Sequence, residues 1–185
     1  MSITQKCLIM PFAFVLFLLT SCSSVVSRYP LSEPSSSPET KKLEGIWLVE
    51  KGPLFVQFQE NGVAKLASLE WDGQQFEQLE GDMIVTIGKH RRFLSVRFFE
   101  DDALEPSYFI MEYAFSDDGH LLVWSPQLER FEAAVEEGNM EGFIEKGEFS
   151  TDVILTQPPG PLLKTLDQPE KDYFDYRKPL ILKKL

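Results

Sequence analysis

The residues with the widest chemical range in this chain are few and far apart. Its only imidazoles are His90 and His120, and its two cysteines, Cys7 and Cys22, both lie near the beginning. A zinc site needs three or four closely spaced Cys or His ligands, and none of these residues supplies that spacing. The sequence also lacks a Gly-x-Ser-x-Gly elbow and a glycine-rich phosphate loop. We therefore expect no metal, no cofactor and no serine nucleophile.

One basic run stands out downstream of the first residues. Lys89 is followed by His90, Arg91 and Arg92 on a predicted turn. Guanidinium groups bind phosphates and carboxylates through paired hydrogen bonds, so His90, Arg91 and Arg92 form a candidate anion site. A solvated charged turn is the plainer interpretation and is favoured.

Carboxylates are numerous, but most fall in predicted turns or on the polar face of a predicted helix. Glu112 differs because it lies within a predicted strand, at 108–115. Its neighbours on that face, Tyr108 and Ile110, are expected to point outward, which makes Glu112 a surface residue. An enzyme that uses strand carboxylates is therefore the weaker alternative.

The charge balance limits the partners. The formal net charge is −11, whereas nucleic-acid binding needs clustered Lys and Arg against phosphates. The same charge disfavours electrostatic docking on anionic lipid headgroups. We expect no nucleic-acid partner.

The first residues have the composition of an export signal. A polar segment containing Lys6 precedes an apolar run of 13 residues, 7–19. A helix needs about 20 residues to cross the hydrocarbon core, so the run fits the apolar region of a signal peptide.

The next four residues, Leu19-Thr20-Ser21-Cys22, resemble the lipobox of bacterial lipoproteins. The resemblance implies that residues 1–21 are removed as a signal peptide and that Cys22 carries diacylglycerol and a further acyl chain such as palmitate. Two or more chains make release from a membrane slow. Ser23 and Ser24 are not the acidic residues of inner-membrane retention, so the outer membrane, facing the periplasm, is favoured if the source is Gram-negative.

Serine and proline dominate the residues after Cys22. Residues 22–42 show no apolar periodicity and are predicted to be a lipidated cysteine followed by a flexible tether. The body is placed at 43–166. The tail, 167–185, is left open between docked and mobile.

The body predicts an all-β fold. Short alternating runs, separated by turns such as Asn61-Gly62 and Asp117-Asp118-Gly119, indicate an antiparallel meander of about eight strands. A helix near 126–137 is predicted before the last strand, which is placed at about 151–156. This order favours an up-and-down barrel or a strongly bent sheet; an open sheet covered by one helix is second.

The first strand begins with Gly45-Ile46-Trp47. This Gly-x-Trp pattern before a meander resembles the opening motif of lipocalins and implies a lipocalin-like barrel with Trp47 packed across its floor. In that family the long helix follows the eighth strand, whereas here it precedes it. No ligand-binding residue is carried over.

Aromatic side chains are expected to line the barrel interior. In the third strand Val63, Ala67, Leu69 and Trp71 are predicted to share one face, the one that carries the lining residue Trp71, although Lys65 interrupts it. An eight-stranded barrel is either filled by its side chains or holds one small ligand; a filled interior is favoured. The candidate lining of an apolar ligand site is Trp47, Trp71, Phe98, Phe109, Met111, Tyr113 and Phe115.

These patterns together predict a membrane-anchored envelope lipoprotein that acts as a non-catalytic binding or interaction module. The alternatives are a carrier of a small apolar ligand and, less favoured, a carboxylate-dependent enzyme. The expected partners are the membrane, through the lipid, and either an envelope protein or a lipid-like molecule.

Overall fold

The computed structural model describes residues 23–49, 52–71, 75–99, 107–148 and 150–185, without the side chains of Glu70 and Trp71. It has eleven strands and two α-helices in this part of the chain. The strands are β1 (Ser24–Ser27), β2 (Gly45–Val49), β3 (Gly52–Phe58), β4 (Ala64–Trp71), β5 (Phe76–Ile87), β6 (Arg92–Phe98), β7 (Tyr108–Phe115), β8 (Leu121–Trp124), β9 (Gly142–Lys146), β10 (Thr151–Leu155) and β11 (Leu180–Lys184). The helices are α1 (Leu128–Glu136) and α2 (Pro159–Leu166), and a short 3₁₀ helix spans Thr40–Leu43.

Eight of the strands close into an antiparallel barrel. Strands β2 to β8 follow one another as an up-and-down meander, β6 pairs with β7, and β11 lies between β8 and β2. The predicted all-β antiparallel barrel with a helix before its last strand is confirmed. Closure pairs both edges of the meander, so the barrel leaves no free strand edge.

The strand that closes the barrel comes from the tail. The sequence places the last barrel strand at 151–156, but that segment forms β10 outside the barrel, and β11 takes its place. Leu182 of β11 belongs to the interior core and the partly buried Leu180 packs against that core, while Ile181 is half exposed. The predicted boundary at residue 166 is therefore wrong, because the barrel needs residues 180–184.

Alternation along the strands fills the interior. The inward side chains form one buried apolar core, which includes Trp47, Leu66, Met83 and Tyr113. The predicted inner face of β4 is wrong by one residue: Ala64, Leu66 and Ser68 are buried, whereas Leu69 is 44% exposed. Because side chains alternate with a period of two, this shift puts Ala67 and Leu69 on the outer face.

A second layer covers one side of the barrel. The first residues of β7 pair with β1, which runs parallel to β10, and β9 completes this outer sheet. Helices α1 and α2 and residues 173–174 pack between the outer sheet and the outward side chains of β5, β6 and β7. We call this assembly the outer layer. It creates a second core on the outside of the barrel, around Ile84, Phe93 and Ile110.

Residues 23–42 do not form the flexible tether that their composition predicts. After β1, the chain crosses the outside of the barrel as a strap, residues 28–43. Leu31 is buried and donates its N–H to Ser95 Oγ, and Ser32 Oγ lies 2.8 Å from Thr86 Oγ1. Small hydroxyl side chains on the outer face of β5 and β6 provide these contacts, which outweigh the disorder that a Ser/Pro-rich composition favours.

Candidate functional site

Three of the predicted lining residues occupy one end of the barrel interior. Trp47 is buried, and its Nε1 donates to the carbonyl oxygen of Leu43 at 2.7 Å. The Phe115 ring lies 6.2 Å from the Trp47 ring and meets the Tyr113 ring edge-on at 6.1 Å. Lys184 Nζ lies 5.3 Å from the centre of the Trp47 ring. The three rings therefore pack against one another at this end of the interior.

The other predicted lining residues are less concentrated. Met111 is buried in the interior core, Phe98 packs against it, and the rings of Phe98 and Phe109 are 6.1 Å apart. Trp71 ends β4, and its side chain lies outside the described residues. The interior therefore contains large apolar side chains in the described part, in keeping with the favoured filled barrel.

One interior polar atom has no hydrogen-bond partner among the described residues. The hydroxyl of Tyr113 is buried and makes no hydrogen bond to any residue within the described ranges. Burial, with a smaller contribution from the negative charge of Glu39, raises the pKa of Tyr113 to about 12. A buried hydroxyl without a partner is costly, so this atom is the feature of the interior that most favours a bound molecule.

The basic turn between β5 and β6 binds a carboxylate of the chain itself. The backbone N–H groups of Lys89, His90 and Arg91 donate to Asp167 at 2.6, 2.9 and 2.8 Å. Burial alone would raise the pKa of Asp167, but these three donors outweigh it and hold the pKa below its ordinary value. The turn thus has the geometry of an anion site, and Asp167 occupies it.

The side chains of this turn separate. Arg91 turns toward Glu112, Arg92 pairs with Glu39 of the strap, and His90 is exposed. The side chains of Arg91 and Arg92 are therefore adjacent in sequence but bind different parts of the structure, and that of His90 joins neither. What each binds comes from a distant segment, which is why local sequence gave no sign of it.

Glu112 lies on the outer face of β7, as expected, but the outer layer buries it. Tyr176 donates its hydroxyl to Glu112 Oε2 at 2.6 Å, and Arg91 Nη1 donates to the same oxygen at 3.2 Å. Burial raises the pKa of Glu112, and its bonds to Tyr176 and Arg91 oppose that rise. The sequence missed this cluster because Tyr176 lies 64 residues away.

Arg91 also fixes the segment that precedes β11. Its Nη2 donates to the carbonyl oxygens of Pro169 and Lys171 at 3.1 and 2.8 Å, and its guanidinium carbon lies 5.6 Å from the ring centre of Tyr176. The bonds of Arg91 to Pro169 and Lys171 and of Glu112 to Tyr176 attach this segment to the barrel. The cluster is a structural latch rather than a set of groups converging on open space.

The opposite side of the barrel has an apolar surface. Outward side chains of β11, β2, β3 and β4 leave five large apolar residues 37–50% exposed, and these define the exposed wall: Ile46, Leu48, Phe55, Leu69 and Ile181. In the barrel order, β3 is four strands from β7 in either direction. The exposed wall is thus half a turn away from the strand that carries the outer sheet.

A shallow groove crosses one edge of the exposed wall. Its volume is about 520 Å³. Its lining includes Phe55 of β3, Ala67 of β4 and Phe99, just after β6. Strand register places Ala67 between Phe55 and Glu80. Glu80 and Lys65 contribute charges, with Lys65 Nζ 2.6 Å from Asp82. Because this lining combines two large aromatic side chains with one small side chain, the groove suits a protruding apolar side chain.

Cys22 and the signal peptide 1–21 lie outside the described residues. Ser23, the residue after Cys22, is already held, since its Oγ accepts the N–H of Thr151 at 3.0 Å. No group of His, Cys, Asp and Glu within the described ranges could hold a metal ion. No described helix has the length and apolarity to cross a membrane.

No family model, curated protein or solved structure matches this chain. The support for a function therefore comes from the contacts and exposed surfaces of the described residues and from the sequence itself.

Proposed function

We propose that this protein is a lipid-anchored lipoprotein of a bacterial cell envelope whose barrel acts as a non-catalytic interaction module through the exposed wall. The observation that carries this proposal is the wall itself. Soluble proteins seldom leave contiguous large apolar side chains exposed unless a partner covers them. Here five such residues share one side of a barrel whose other side is covered by its own chain.

The anchor part of the proposal rests on the first 22 residues. Export is supported by the apolar run 7–19. Cleavage and lipidation at Cys22 are supported by the sequence Leu19-Thr20-Ser21-Cys22. With Ser23 and Ser24 as sorting residues, the outer membrane facing the periplasm is the proposed location in a Gram-negative source.

The anchor is tested by replacing one atom. Cys22→Ser removes the thiol that lipidation requires, so we expect loss of palmitate incorporation and transfer of the protein from the membrane to the soluble fraction. Cys7→Ser is the matched control and should change neither. Undiminished labelling and membrane retention of Cys22→Ser would refute the anchor.

The hydroxyl of Tyr113, which has no hydrogen-bond partner in the part of the chain that the structure describes, supports a second candidate, a carrier of a small apolar ligand with one polar group. Native mass spectrometry of the protein from its own host tests it. A bound mass that is lost on Tyr113→Phe supports the carrier. A clean unliganded mass counts against it and leaves the interaction module in place.

A further inference from the structure

The outer sheet has one covered face and one face toward solvent. Burial alternates along β1 and β10, and Val25 and Val153 belong to the second core together with Phe131 of α1. Because side chains alternate across a strand, the residues between them point to the other side. We call that side the solvent face, which is formed by Ser24 and Val26 of β1, Asp152 and Ile154 of β10, and Phe143 and Glu145 of β9.

An apolar row crosses the solvent face. Strand register places Val26 beside Ile154 and Ile154 beside Phe143. Val26 and Ile154 are partly exposed, and Phe143 is 37% exposed. The guanidinium carbon of Arg28 lies 5.7 Å from the centre of the Phe143 ring. This combination suits the boundary between water and lipid, where apolar side chains enter the headgroup region and long cationic side chains reach back to water.

The row next to it is polar and fixes the chain beside Cys22. Ser24 donates its N–H and its hydroxyl to Asp152 Oδ1 at 3.0 and 2.6 Å. Ser23 Oγ accepts the N–H of Thr151 at 3.0 Å. One peptide unit, about 3.8 Å between Cα atoms, joins Cys22 to Ser23. A lipid on Cys22, which is the proposed anchor, therefore begins at the edge of the solvent face.

The short link to Ser23 determines which partner meets the solvent face. A flexible tether of about 20 residues, as residues 23–42 were predicted to form, would hold the domain about 25 Å from its lipid. Instead, the chain is hydrogen-bonded to β10 from Ser23 onward. Val26 lies about 7 Å beyond Ser24 along β1, and Phe143 lies two strands, about 10 Å, from Val26. A bilayer that receives the lipid is therefore already close to the apolar row.

We propose that the solvent face of the outer sheet lies on the membrane surface to which Cys22 is anchored, with Phe143 in the headgroup region. This docking rests on the proposed anchor and adds the orientation of the domain. Anionic headgroups attract basic segments, whereas this face has the carboxylates of Glu145 and Asp152 against the one guanidinium of Arg28. The surface that fits is therefore one of zwitterionic phospholipids. The exposed wall is a different surface, centred four strands from β7, and stays available to a protein partner.

Photo-crosslinking in vesicles tests this contact. The full lipidated chain, with p-benzoylphenylalanine at position 143, is reconstituted into vesicles of radioactively labelled phosphatidylcholine. Illumination should attach labelled phospholipid to the chain. Phe55 of the exposed wall, 45% exposed, is the matched position and should give less than a tenth of that adduct. A yield at position 55 equal to or above the yield at position 143 would overturn the proposal.

Position 145 provides a second measurement on the same face. Glu145 is exposed, so p-benzoylphenylalanine in its place disturbs no packed side chain and should also give the phospholipid adduct. Flotation of the vesicles separates the docking from the anchor. Chains that float without an adduct at either position remove the docking while the anchor stands, and chains that do not float remove both.

The charge of the lipid tests the headgroup preference. Replacing about a third of the phosphatidylcholine by phosphatidylglycerol puts anionic headgroups against Glu145 and Asp152, and this repulsion is screened by salt. The yield at position 143 should therefore fall at least twofold at low salt and recover at high salt. A yield that is unchanged or higher with the anionic lipid would overturn the preference for zwitterionic headgroups.

Discussion

The two sides of this barrel are built from the same strand pattern but meet different surroundings. On the β5–β7 side, the outward residues Ile84, Phe93 and Ile110 are 6% exposed or less, because the outer layer covers them. On the β2–β4 side, Ile46, Phe55 and Leu69 are 37–45% exposed. An apolar residue that points outward from a barrel strand is therefore not necessarily exposed to solvent. The difference is created by segments that are remote in sequence.

The largest expected effect contrasts one phenylalanine from each side. Phe93→Ala leaves a cavity under Phe174, whose ring lies 5.9 Å away, and should lower the free energy of unfolding by about 3–5 kcal/mol. Phe55→Ala should change it by less than about 0.5 kcal/mol, since the side chain is already half in solvent. Urea denaturation of both variants measures the contrast. Equal losses would mean that the wall is as well packed as the covered side.

The latch between the barrel and the outer layer should give the next effect. Arg91→Met leaves the buried carboxylate of Glu112 with Tyr176 alone, and we expect a loss of about 2–4 kcal/mol in unfolding free energy at pH 7. Without the cation, the already raised pKa of Glu112 rises further. Its protonated form then favours the fold at low pH, so the loss should shrink as pH falls through the folded pKa and grow as pH rises.

Arg177→Met is the matched control for Arg91→Met. Arg177 pairs with Asp175 in the same segment, but its side chain is 83% exposed, and surface ion pairs contribute little to stability. Its unfolding curve should overlay that of the parent protein. A loss comparable to that of Arg91→Met would show that removing any arginine here is harmful, irrespective of burial.

The strap should contribute less. Ser95 is fully buried on β6, and its Oγ accepts the N–H of Leu31 at 3.1 Å. Ser95→Ala removes the acceptor and should cost about 1–2 kcal/mol. Hydrogen exchange should show faster exchange at the Leu31 amide, while amides of β3 on the wall side stay unchanged. Unchanged exchange at Leu31 would mean that the strap is held by its apolar contacts alone.

The smallest effect concerns Asp167 on the basic turn. Asp167→Asn weakens three backbone hydrogen bonds to a partly exposed carboxylate, and we expect a cost of about 1 kcal/mol after allowance for solvent screening. Because the folded pKa is lowered from its ordinary 3.8, the contribution is present above that pH and is lost as pH falls through the folded value. The parent and variant should therefore have the same stability in strong acid. A difference that persists there would exclude the charge as its source.

Much of the barrel could be predicted from the sequence because its strands are local patterns. Alternation defined β2 to β8, and the spacing of Leu128, Phe131 and Val135 predicted α1. The prediction was wrong where one or two residues determine the inner face of a strand or the attachment of a segment. The face of β4 was assigned wrongly because the apolar residues Val63, Ala67, Leu69 and Trp71 recur at every second position apart from Lys65, and this pattern outnumbers Ala64 and Leu66 on the other face. The Ser/Pro-rich composition of residues 23–42 predicted a flexible tether, although one residue in it, Leu31, is buried against the barrel.

The sites were less predictable than the strands. The basic turn was named as a candidate anion site, although a solvated charged turn was favoured, and only the fold shows that Asp167 binds there, 76 residues from Arg91. Glu112 was placed on the correct face, and its burial came from Tyr176 and the outer layer. The lipobox at Leu19–Cys22 is a local motif that needs no fold, and the role of Cys22 stays a prediction.

The sequence by itself determined the period of the strands and the turns between them, because each depends on neighbours within a few residues. Only the tertiary structure decided that β11 closes the barrel and which side the outer layer covers. Ile46 and Phe55 are no more polar than Ile84 and Phe93. Whether such residues end up buried depends on long-range packing that brings residues 23–43, 128–148 and 150–176 onto one side and leaves the other as the exposed wall.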